Sequence, residues 1–387
     1  MKPKPSTNTF GRRLWQMAAS VQTGIVLLLV VVVVAAAGTF ILQRPMTEAS
    51  EMERAYAPAT LRWLDALGLT DVFHAGWFTL LLGLLSLNII CASVKRFPQA
   101  WRFYAKPYRH PEPHFRRAVA AQCAVPVRDP RLAMQAAEEA LVSQGYRPQR
   151  IEREGEVSLY VERHRFARLA AYVVHVSLLL VLAGGIIDSR WGYRGFVALG
   201  HGDTVDAIEL ADGSRHLLPF TLRCDAAGQE DYPDGTPRRW WSDLTVLEHG
   251  ALKLKKQIAV NDPLVYQGVR FYQASFGYTR PMPGARDYFT GLQVSYEPGQ
   301  WLVWGGCVLM AVGLTLAFYF VHLRLWVVAM KNEAAVPVIW MGGDASKERE
   351  DLDSRLDRLA EETLINLKRM REVEARRQAM LAAATRA

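Results

Sequence analysis

An ionisable side chain interrupts one of the most apolar stretches of the sequence. His175 lies within LAAYVVHVSLLLVLAGGII, which spans residues 169–187. A stretch of this length can cross the hydrocarbon core of a bilayer, which is about 30 Å thick. Burying an imidazole there costs free energy unless the ring has a partner, so an ionisable group inside a membrane indicates a function. The residue type fits three roles: a ligand of haem iron, a proton relay, or a hydrogen bond to a neighbouring helix.

The remaining histidines do not provide an opposite ligand at the same depth. A self-contained haem b protein places histidines at matching depths on facing helices, whereas His74 precedes the second apolar segment and His322 ends the fourth. If His175 binds haem iron, we therefore expect its opposite ligand to come from another subunit or from a group other than histidine.

Other catalytic and redox motifs are absent from the sequence. It contains no nucleophile elbow, no zinc-protease motif, no P-loop and no dinucleotide-binding fingerprint. The four cysteines, Cys91, Cys123, Cys224 and Cys307, include no C-x-x-C pair. This pattern predicts neither a disulfide framework nor a thioredoxin-like redox pair nor a structural zinc site. Since no Asp, Glu, Lys or Arg lies deep in an apolar segment, a proton-coupled transporter is also disfavoured.

Four apolar segments of the sequence are long enough to cross a membrane. They span residues 21–42, 77–94, 167–187 and 301–322. The first has an apolar run too long for a cleavable signal peptide, and we interpret it as a retained anchor. The mean hydropathy is +0.01 although 22% of the residues are charged, as expected for very apolar segments alternating with very polar ones.

The distribution of positive charge predicts the orientation of the segments. Lys and Arg cluster before segments one and three and after segments two and four, whereas the loop over residues 43–76 carries five acidic residues. Both termini are therefore expected in the cytoplasm. The net charge of +8 then reflects the side that faces the inner leaflet and its lipids, and no nucleic-acid-binding motif accompanies it.

This orientation divides the rest of the chain into soluble regions. We predict a cytoplasmic N-terminus over 1–20, an extracytoplasmic loop over 43–76, a small cytoplasmic α+β module over 95–166, an extracytoplasmic β-rich domain over 188–300, and a cytoplasmic hairpin with a charged helical tail over 323–387. The helix of the α+β module should start at Asp129-Pro130, because Asp is a favourable cap and Pro fits the first turn.

The β-rich domain combines short alternating strands with many aromatic residues. The strand spacing is typical of a β-sandwich-like or barrel-like domain. The aromatic residues fit a β core with an interfacial belt, or else a surface that faces a partner or haem.

Four sequence blocks, in this order, resemble the ResB family, the membrane subunits of System II cytochrome c synthases. They are HAGWFTLLLGLLSLNIICASVKRFPQAW (74–101), HVSLLLVLAGGII (175–187), EDYPDGTPRRWWSDLTVLEHG (230–250) and VNDPLVYQGVRFYQASFG (260–277). The resemblance covers most of the chain. It implies a bacterial inner-membrane protein, and it makes His175 the candidate axial ligand of a haem b shared with a partner subunit.

The same resemblance implies the partners. It predicts a ResC/CcsA-type membrane subunit carrying a tryptophan-rich haem-handling loop, an apocytochrome c that receives haem by thioether attachment, and a thioredoxin-like protein that supplies reduced thiols. The tryptophan-rich motif itself is missing here, since RRWWSD at 238–243 is only superficially similar. The chain is thus expected to be a non-autonomous subunit of a haem lyase.

The extracytoplasmic domain is then expected to brace the partner and to hold the apocytochrome. The candidate docking residues are Trp240, Trp241, Asn261, Pro263, Tyr266, Phe271 and Tyr272. The Asn261-Asp262-Pro263 turn also fits a purely architectural role. Two alternatives remain at this stage: a scaffold that docks apocytochrome without touching haem, and a b-type cytochrome of a respiratory complex, which would lack its ligand pairs.

Overall fold

The computed structural model describes residues 9–44, 47, 49–119, 121–153, 156–210, 213–282, 285–332, 334–346 and 349–384. Within these residues, four helical segments are long and apolar enough to cross a membrane: α2 (Val21–Phe40), α5 (Gly76–Ala105), Arg165–Trp191 and α9 (Gln300–Tyr319). The third begins with a 3-10 turn over Arg165–Leu169 and continues as α8 (Ala170–Trp191). The predicted four-helix membrane protein is therefore confirmed by helix length and composition.

Shorter helices precede α5. They are α1 (Thr9–Ala18), α3 (Ala49–Ala55), α4 (Pro58–Ala66) and a 3-10 turn over Leu69–His74. Asn88 of α5 donates hydrogen bonds from Nδ2 to the carbonyl oxygens of Ala18 at 2.7 Å and Ser20 at 3.0 Å. This buried amide satisfies carbonyls between α1 and α2, as polar side chains between membrane helices commonly do.

The chain divides into two compact units. The first comprises residues 1–92 and 177–308, and the second comprises residues 93–176 and 309–387. In the first unit, eight strands form one antiparallel sheet in the order β8-β7-β6-β5-β4-β11-β10-β9. The strands are β4 (Tyr193–Gly200), β5 (Thr204–Leu210), β6 (Arg215–Asp231), β7 (Pro237–Glu248), β8 (Ala251–Ala259), β9 (Leu264–Tyr266), β10 (Val269–Met282) and β11 (Ala285–Tyr296).

This sheet curls over its own apolar face. β10 contacts β6, β7 and β8, which are not its neighbours in the sheet. The enclosed core includes Leu222, Leu244, Phe271 and Leu292, all fully buried. The prediction of a large all-β domain is confirmed. Within the described residues, one curled sheet encloses the core, whereas a β-sandwich encloses its core between two sheets.

The second unit contains a five-stranded antiparallel sheet in the order β1-β13-β12-β3-β2. The strands are β1 (Ala121–Pro126), β2 (Gln149–Arg153), β3 (Glu156–Arg163), β12 (Leu323–Lys331) and β13 (Pro337–Ala345). The hairpin of β12 and β13 thus lies between β1 and β3, so segments separated by about 160 residues in sequence share one sheet.

Helices cover one face of this sheet. α7 (Pro130–Ser143) and α10 (Arg349–Ala384) pack on it through a core that includes Leu141, Leu352, Leu356 and Val327. α6 (Pro113–Ala118) lies near the opposite face, where Trp326, Tyr160 and Trp340 form a second cluster. Strands from residues 121–163 and 323–345 thus form one sheet, and α7 and α10 complete one α/β layer with it.

Candidate functional site

The imidazole of His175 is held by a hydroxyl on another membrane helix. Ser93 Oγ of α5 lies 2.9 Å from Nδ1 of His175 on α8. The Tyr172 ring meets the imidazole edge-on, with centroids 6.3 Å apart and an interplanar angle of 74°. The ring is half-buried, and among the described residues no hydrogen bond reaches its Nε2 atom. The geometry fixes one ring nitrogen and leaves the other available.

Helix packing explains how these groups meet. α5 and α8 run antiparallel in the second unit, because contacts pair later residues of α5 with earlier residues of α8: Ser93 with His175, and Phe97 with Tyr172. On the third helix, Gly313 of α9 permits close approach, since a Cβ atom there would lie 3.0 Å from the backbone nitrogen of Val174. Small residues at helix contacts commonly allow this approach in membranes.

A row of aromatic rings runs from the imidazole of His175 toward the start of the helical segment Arg165–Trp191. Phe97 meets Tyr172 at 5.2 Å and stacks on Trp101 at 5.8 Å with a 26° interplanar angle. Trp101 in turn lies 5.4 Å from Tyr104. The guanidinium of Arg165 lies 4.6 Å above the Tyr104 ring. We call Tyr172, Phe97, Trp101 and Tyr104 the aromatic ladder.

His322 occupies a separate, fully satisfied network. Arg168 Nε donates to His322 Nδ1 at 2.7 Å, so His322 Nε2 carries the proton that is shared with Glu162 at 2.9 Å. Arg168 and Arg324 both pair with Asp344. The side chain of His322 is 1% exposed, and this burial lowers its pKa. With both ring nitrogens engaged, His322 is not available as a metal ligand.

His74 is likewise engaged. Its Nδ1 lies 2.6 Å from Asp71 Oδ1, and the side chain is exposed. Within the described residues, no group of three or more His, Cys, Asp and Glu side chains could hold a metal ion. His175 is a half-buried imidazole within a membrane helix with a supported Nδ1, and such a ring could ligate an iron that a porphyrin already holds.

The aromatic candidates of the β sheet differ in exposure. Trp240 Nε1 donates to Gln229 Oε1 at 2.8 Å, and both Trp240 and Trp241 are half-buried. The Trp241 ring covers Gly228, where a Cβ atom would lie 2.7 Å from it. Tyr272 is half-buried. These three side chains retain surface that a partner could contact.

Phe271 requires a correction. Its side chain is fully buried in the core, where Phe220 packs against it at 6.0 Å. It cannot serve on a docking surface, because inward-facing positions of a curled sheet alternate with outward ones along each strand. Tyr266 packs edge-on against the same Phe220 ring at 5.1 Å and is half-buried.

The Asn261-Asp262-Pro263 turn is tied to β8. Lys256 Nζ donates to Asp262 Oδ1 at 2.5 Å and to the Pro263 carbonyl at 2.8 Å. A bridge between Ala259 and Asp262 closes the turn, while Asn261 is exposed. These contacts support the architectural interpretation of the turn and leave the Asn261 side chain at the surface.

Sequence reasoning missed a buried polar cluster in the same sheet. Ser242 Oγ donates to Gln273 Oε1 at 2.6 Å, and Gln273 Nε2 donates to Thr290 Oγ1 at 2.8 Å. All three side chains are buried and link β7, β10 and β11. The available signal was a polar residue at an inward position of an apolar strand, such as Gln273 within RFYQASF.

All four cysteines are free. Cys224 is fully buried, and burial raises its pKa to about 11. Burial also raises the pKa of Cys123 to about 11. Thiolates are the reactive form, so neither residue is a nucleophile near neutral pH.

Comparisons with known proteins found a matching family and similar sequences. The profile of the ResB-like family matches residues 21–286 and 278–357. The cytochrome c biogenesis protein CcsB of Gloeobacter violaceus is 30% identical over 299 residues, which are 71% of this chain and 59% of that protein. The CcsB of Synechococcus elongatus is 30% identical over 279 residues, covering 68% and 58% of the two chains. The chain thus spans less than two thirds of the length of these relatives.

A solved structure was also found. Cytochrome c heme lyase CcmF aligns with 68% of this chain and 50% of its own, at 14% identity and a TM-score of 0.24.

Proposed function

Because this chain belongs to the ResB-like family, we propose that it is a membrane subunit of a System II cytochrome c synthase. Together with a ResC/CcsA-type partner, it handles haem and supports thioether attachment of that haem to apocytochrome c outside the cytoplasm. Its relatives are named cytochrome c biogenesis proteins, which supports the general role. A thioredoxin-like protein would supply reduced client thiols, in keeping with the inert Cys224 and Cys123 thiols here.

The single observation that carries the proposal is the supported imidazole of His175. The Ser93 hydroxyl orients Nδ1, and Nε2 then points its lone pair away from that bond in the tautomer where Nδ1 carries the proton. The neighbouring Tyr172 and Phe97 rings offer the apolar, aromatic surroundings that a porphyrin requires. The residues present therefore fit a haem b that is shared with the partner.

Haem and this chain would contribute different parts of the attachment chemistry. Bound haem supplies the iron and the vinyl groups to which client thiols are added. This chain's residues would bind and orient that haem, and they need not include a strong acid or nucleophile. Correct positioning of two reactants can lower a barrier by about 7–11 kcal/mol.

The proposed orientation follows the positive-inside rule. The inward end of α5 carries Lys95 and Arg96, and the segment before α8 carries Arg163, Arg165 and Arg168. We therefore assign the α/β layer to the cytoplasm and the curled β sheet to the exterior of a bacterial inner membrane. The exposed Trp191 and Trp301, at the ends of α8 and α9, suit the outer interface.

Within the exterior sheet, Trp240, Trp241, Asn261 and Tyr272 are the residues we propose for docking of the partner or the apocytochrome. Pro263 contributes by fixing the turn next to Asn261 through its carbonyl contact with Lys256. Aromatic side chains with a polar tip are favoured at such interfaces.

The test is the haem content of the purified complex after His175→Gly. The wild-type complex should show a Soret band that the variant loses and that added imidazole restores. His114→Gly is the matched control, because the His114 side chain is 78% exposed. Unchanged haem and unchanged cytochrome assembly in His175→Gly would contradict haem ligation and favour the scaffold alternative.

A further inference from the structure

The aromatic ladder extends the surroundings of His175 in one direction. Each ring touches the next, from Tyr172 beside the imidazole to Tyr104. Phe97 is 41% exposed and Trp101 is 47% exposed, so both rings offer an uncovered face. A general interfacial belt requires aromatic residues at one depth, whereas these four run along the α5–α8 pair.

The guanidinium of Arg165 lies at the end of the aromatic ladder that is farthest from His175. Arg165 lies over Tyr104, its side chain is 34% exposed, and its nearest carboxylate oxygen, on Glu162, is 3.9 Å away. Arg168, by contrast, already donates to His322 and Asp344. Arg165 therefore has capacity for another carboxylate, whereas Arg168 does not. Ten residues separate it from His175, which is about 15 Å along a helix.

We propose that the exposed Phe97 and Trp101 rings of the aromatic ladder, together with Arg165, form the binding surface for a planar porphyrin dicarboxylate, the two rings packing against the porphyrin and Arg165 pairing with a carboxylate at its rim. This inference rests on the proposed function, because it takes His175 as the iron ligand of the same molecule. A porphyrin bound axially by a helix side chain extends alongside the helix over adjacent turns. Aromatic faces and a guanidinium are the complementary partners of an aromatic ring and a carboxylate.

Metal-free protoporphyrin IX separates this surface from iron ligation. The full-length chain is reconstituted in lipid nanodiscs and titrated with protoporphyrin IX and with its dimethyl ester, and porphyrin fluorescence is measured. Trp101→Leu should weaken both ligands by about fivefold, while Trp101→Phe should retain binding. Trp304→Leu is the control, since Trp304 is 60% exposed on α9.

The carboxylate contact has its own comparison. Arg165→Gln should weaken the diacid by about threefold and leave the ester unchanged. Arg102→Gln is the matched control, as Arg102 is exposed on α5 beside Trp101.

The outcomes distinguish the two ideas. If wild-type protein binds neither porphyrin, or if Trp101→Leu and Trp304→Leu bind alike, the ladder proposal is overturned even where His175→Gly has lost its haem. If Arg165→Gln weakens the ester as much as the diacid, the carboxylate contact is wrong. If ladder variants lose metal-free porphyrin while His175→Gly keeps its haem, the porphyrin surface stands and iron ligation fails.

Discussion

At the scale of single residues, a serine hydroxyl governs what His175 can do. The hydrogen bond between Ser93 Oγ and Nδ1 restrains rotation of the imidazole, and the tautomer with the proton on Nδ1 leaves the Nε2 lone pair available. Partners of this kind orient metal-binding histidines in many proteins, and their loss commonly lowers metal affinity by about 10–100-fold. Ser93 is thus a positioning residue for the proposed haem site.

We expect Ser93→Ala to lower the haem content of the purified complex by about tenfold, because Nδ1 loses its partner. Ser93→Thr keeps a hydroxyl and should restore the content. The matched control is Ser86→Ala, since Ser86 Oγ donates to the Leu82 carbonyl of its own helix. Absorption spectra of the three complexes, together with their yields, decide the matter. Full loading of Ser93→Ala with an unshifted Soret band would show that the hydroxyl has no positioning role.

The sequence identified His175 but could not identify Ser93. An imidazole in an apolar helix is conspicuous, whereas a serine there usually bonds to its own backbone, as Ser86 does. The two residues are 82 positions apart, and their contact depends on the antiparallel register of α5 and α8. The prediction that Phe271 lies on a docking surface is wrong for a related reason: alternation along a strand shows which residues share a face, but the curl of the sheet determines which face is enclosed.

At the scale of elements, glycines control the distance between α8 and α9. A Cβ atom at Gly306 would lie 2.7 Å from Val181 Cγ2 and 2.9 Å from the Ser177 carbonyl oxygen. Cβ atoms essentially never approach other atoms this closely, so an alanine at position 306 would force α8 and α9 apart. The adjacent Gly305 has no such neighbour within 4 Å.

This pair permits a matched test. Gly306→Ala should destabilise the protein by about 1–3 kcal/mol through overpacking. Gly305→Ala should be neutral or slightly stabilising, since alanine favours helix more than glycine does. Thermal unfolding of both variants in the same detergent gives the comparison. Equal melting temperatures would mean that α8 and α9 do not approach as closely as described.

The His322 network links β3, β12, β13 and the 3-10 turn before α8. His322 faces Glu162, Arg168 and Arg324, with Asp344 and Tyr160 close by. Burial lowers the pKa of His322 below its ordinary value of 6.5, against the opposing effect of Glu162. Protonation of His322 would also place an N–H donor at Nδ1, opposite the N–H donor of Arg168 Nε. The network is therefore built for the neutral ring.

The lowered pKa of His322 makes the stability of the folded protein depend on pH. Below pH 6.5 the unfolded chain takes up a proton that the folded chain resists, so stability is full above that pH and falls as the pH drops toward the lowered pKa. The loss is at most about 1.4 kcal/mol per pH unit. His322→Gln can keep an acceptor for Arg168 and a donor for Glu162 without titrating, and its stability should depend less on pH. Melting temperatures from pH 7.5 to about 5 that fall equally in both proteins would refute this assignment.

Element identities were largely readable from the sequence. Apolar length predicted the four membrane helices, and Asp129 caps α7 by accepting from the backbone nitrogens of Arg131 and Leu132 at 2.9 and 3.3 Å. The partners of the strands were less readable. β12 and β13 form a local hairpin, but their position between β1 and β3 is set by packing across distant segments.

At the scale of the whole molecule, the α/β layer is completed late in the chain. Its β1–β3 segment precedes α8, and its central strands and α10 follow α9. α10 contributes Leu352, Leu356, Leu359 and Leu367, each 1–3% exposed, to the core over α7 and the sheet. The segment between α5 and α8 therefore cannot bury its own apolar face.

Two truncations test this dependence. Burial of four leucines contributes on the order of 6–12 kcal/mol, which is comparable with the whole stability of a typical domain. Ending the chain after Ser346 should therefore unfold the layer and expose residues 121–163 to protease. Ending it after Arg371 removes described side chains that are exposed and should leave the layer protected. Limited proteolysis of membranes, with fragments identified by mass, distinguishes the cases. Equal protection of residues 121–163 in both truncated chains would show that the early segment folds without α10, and the discontinuous core would then be dispensable.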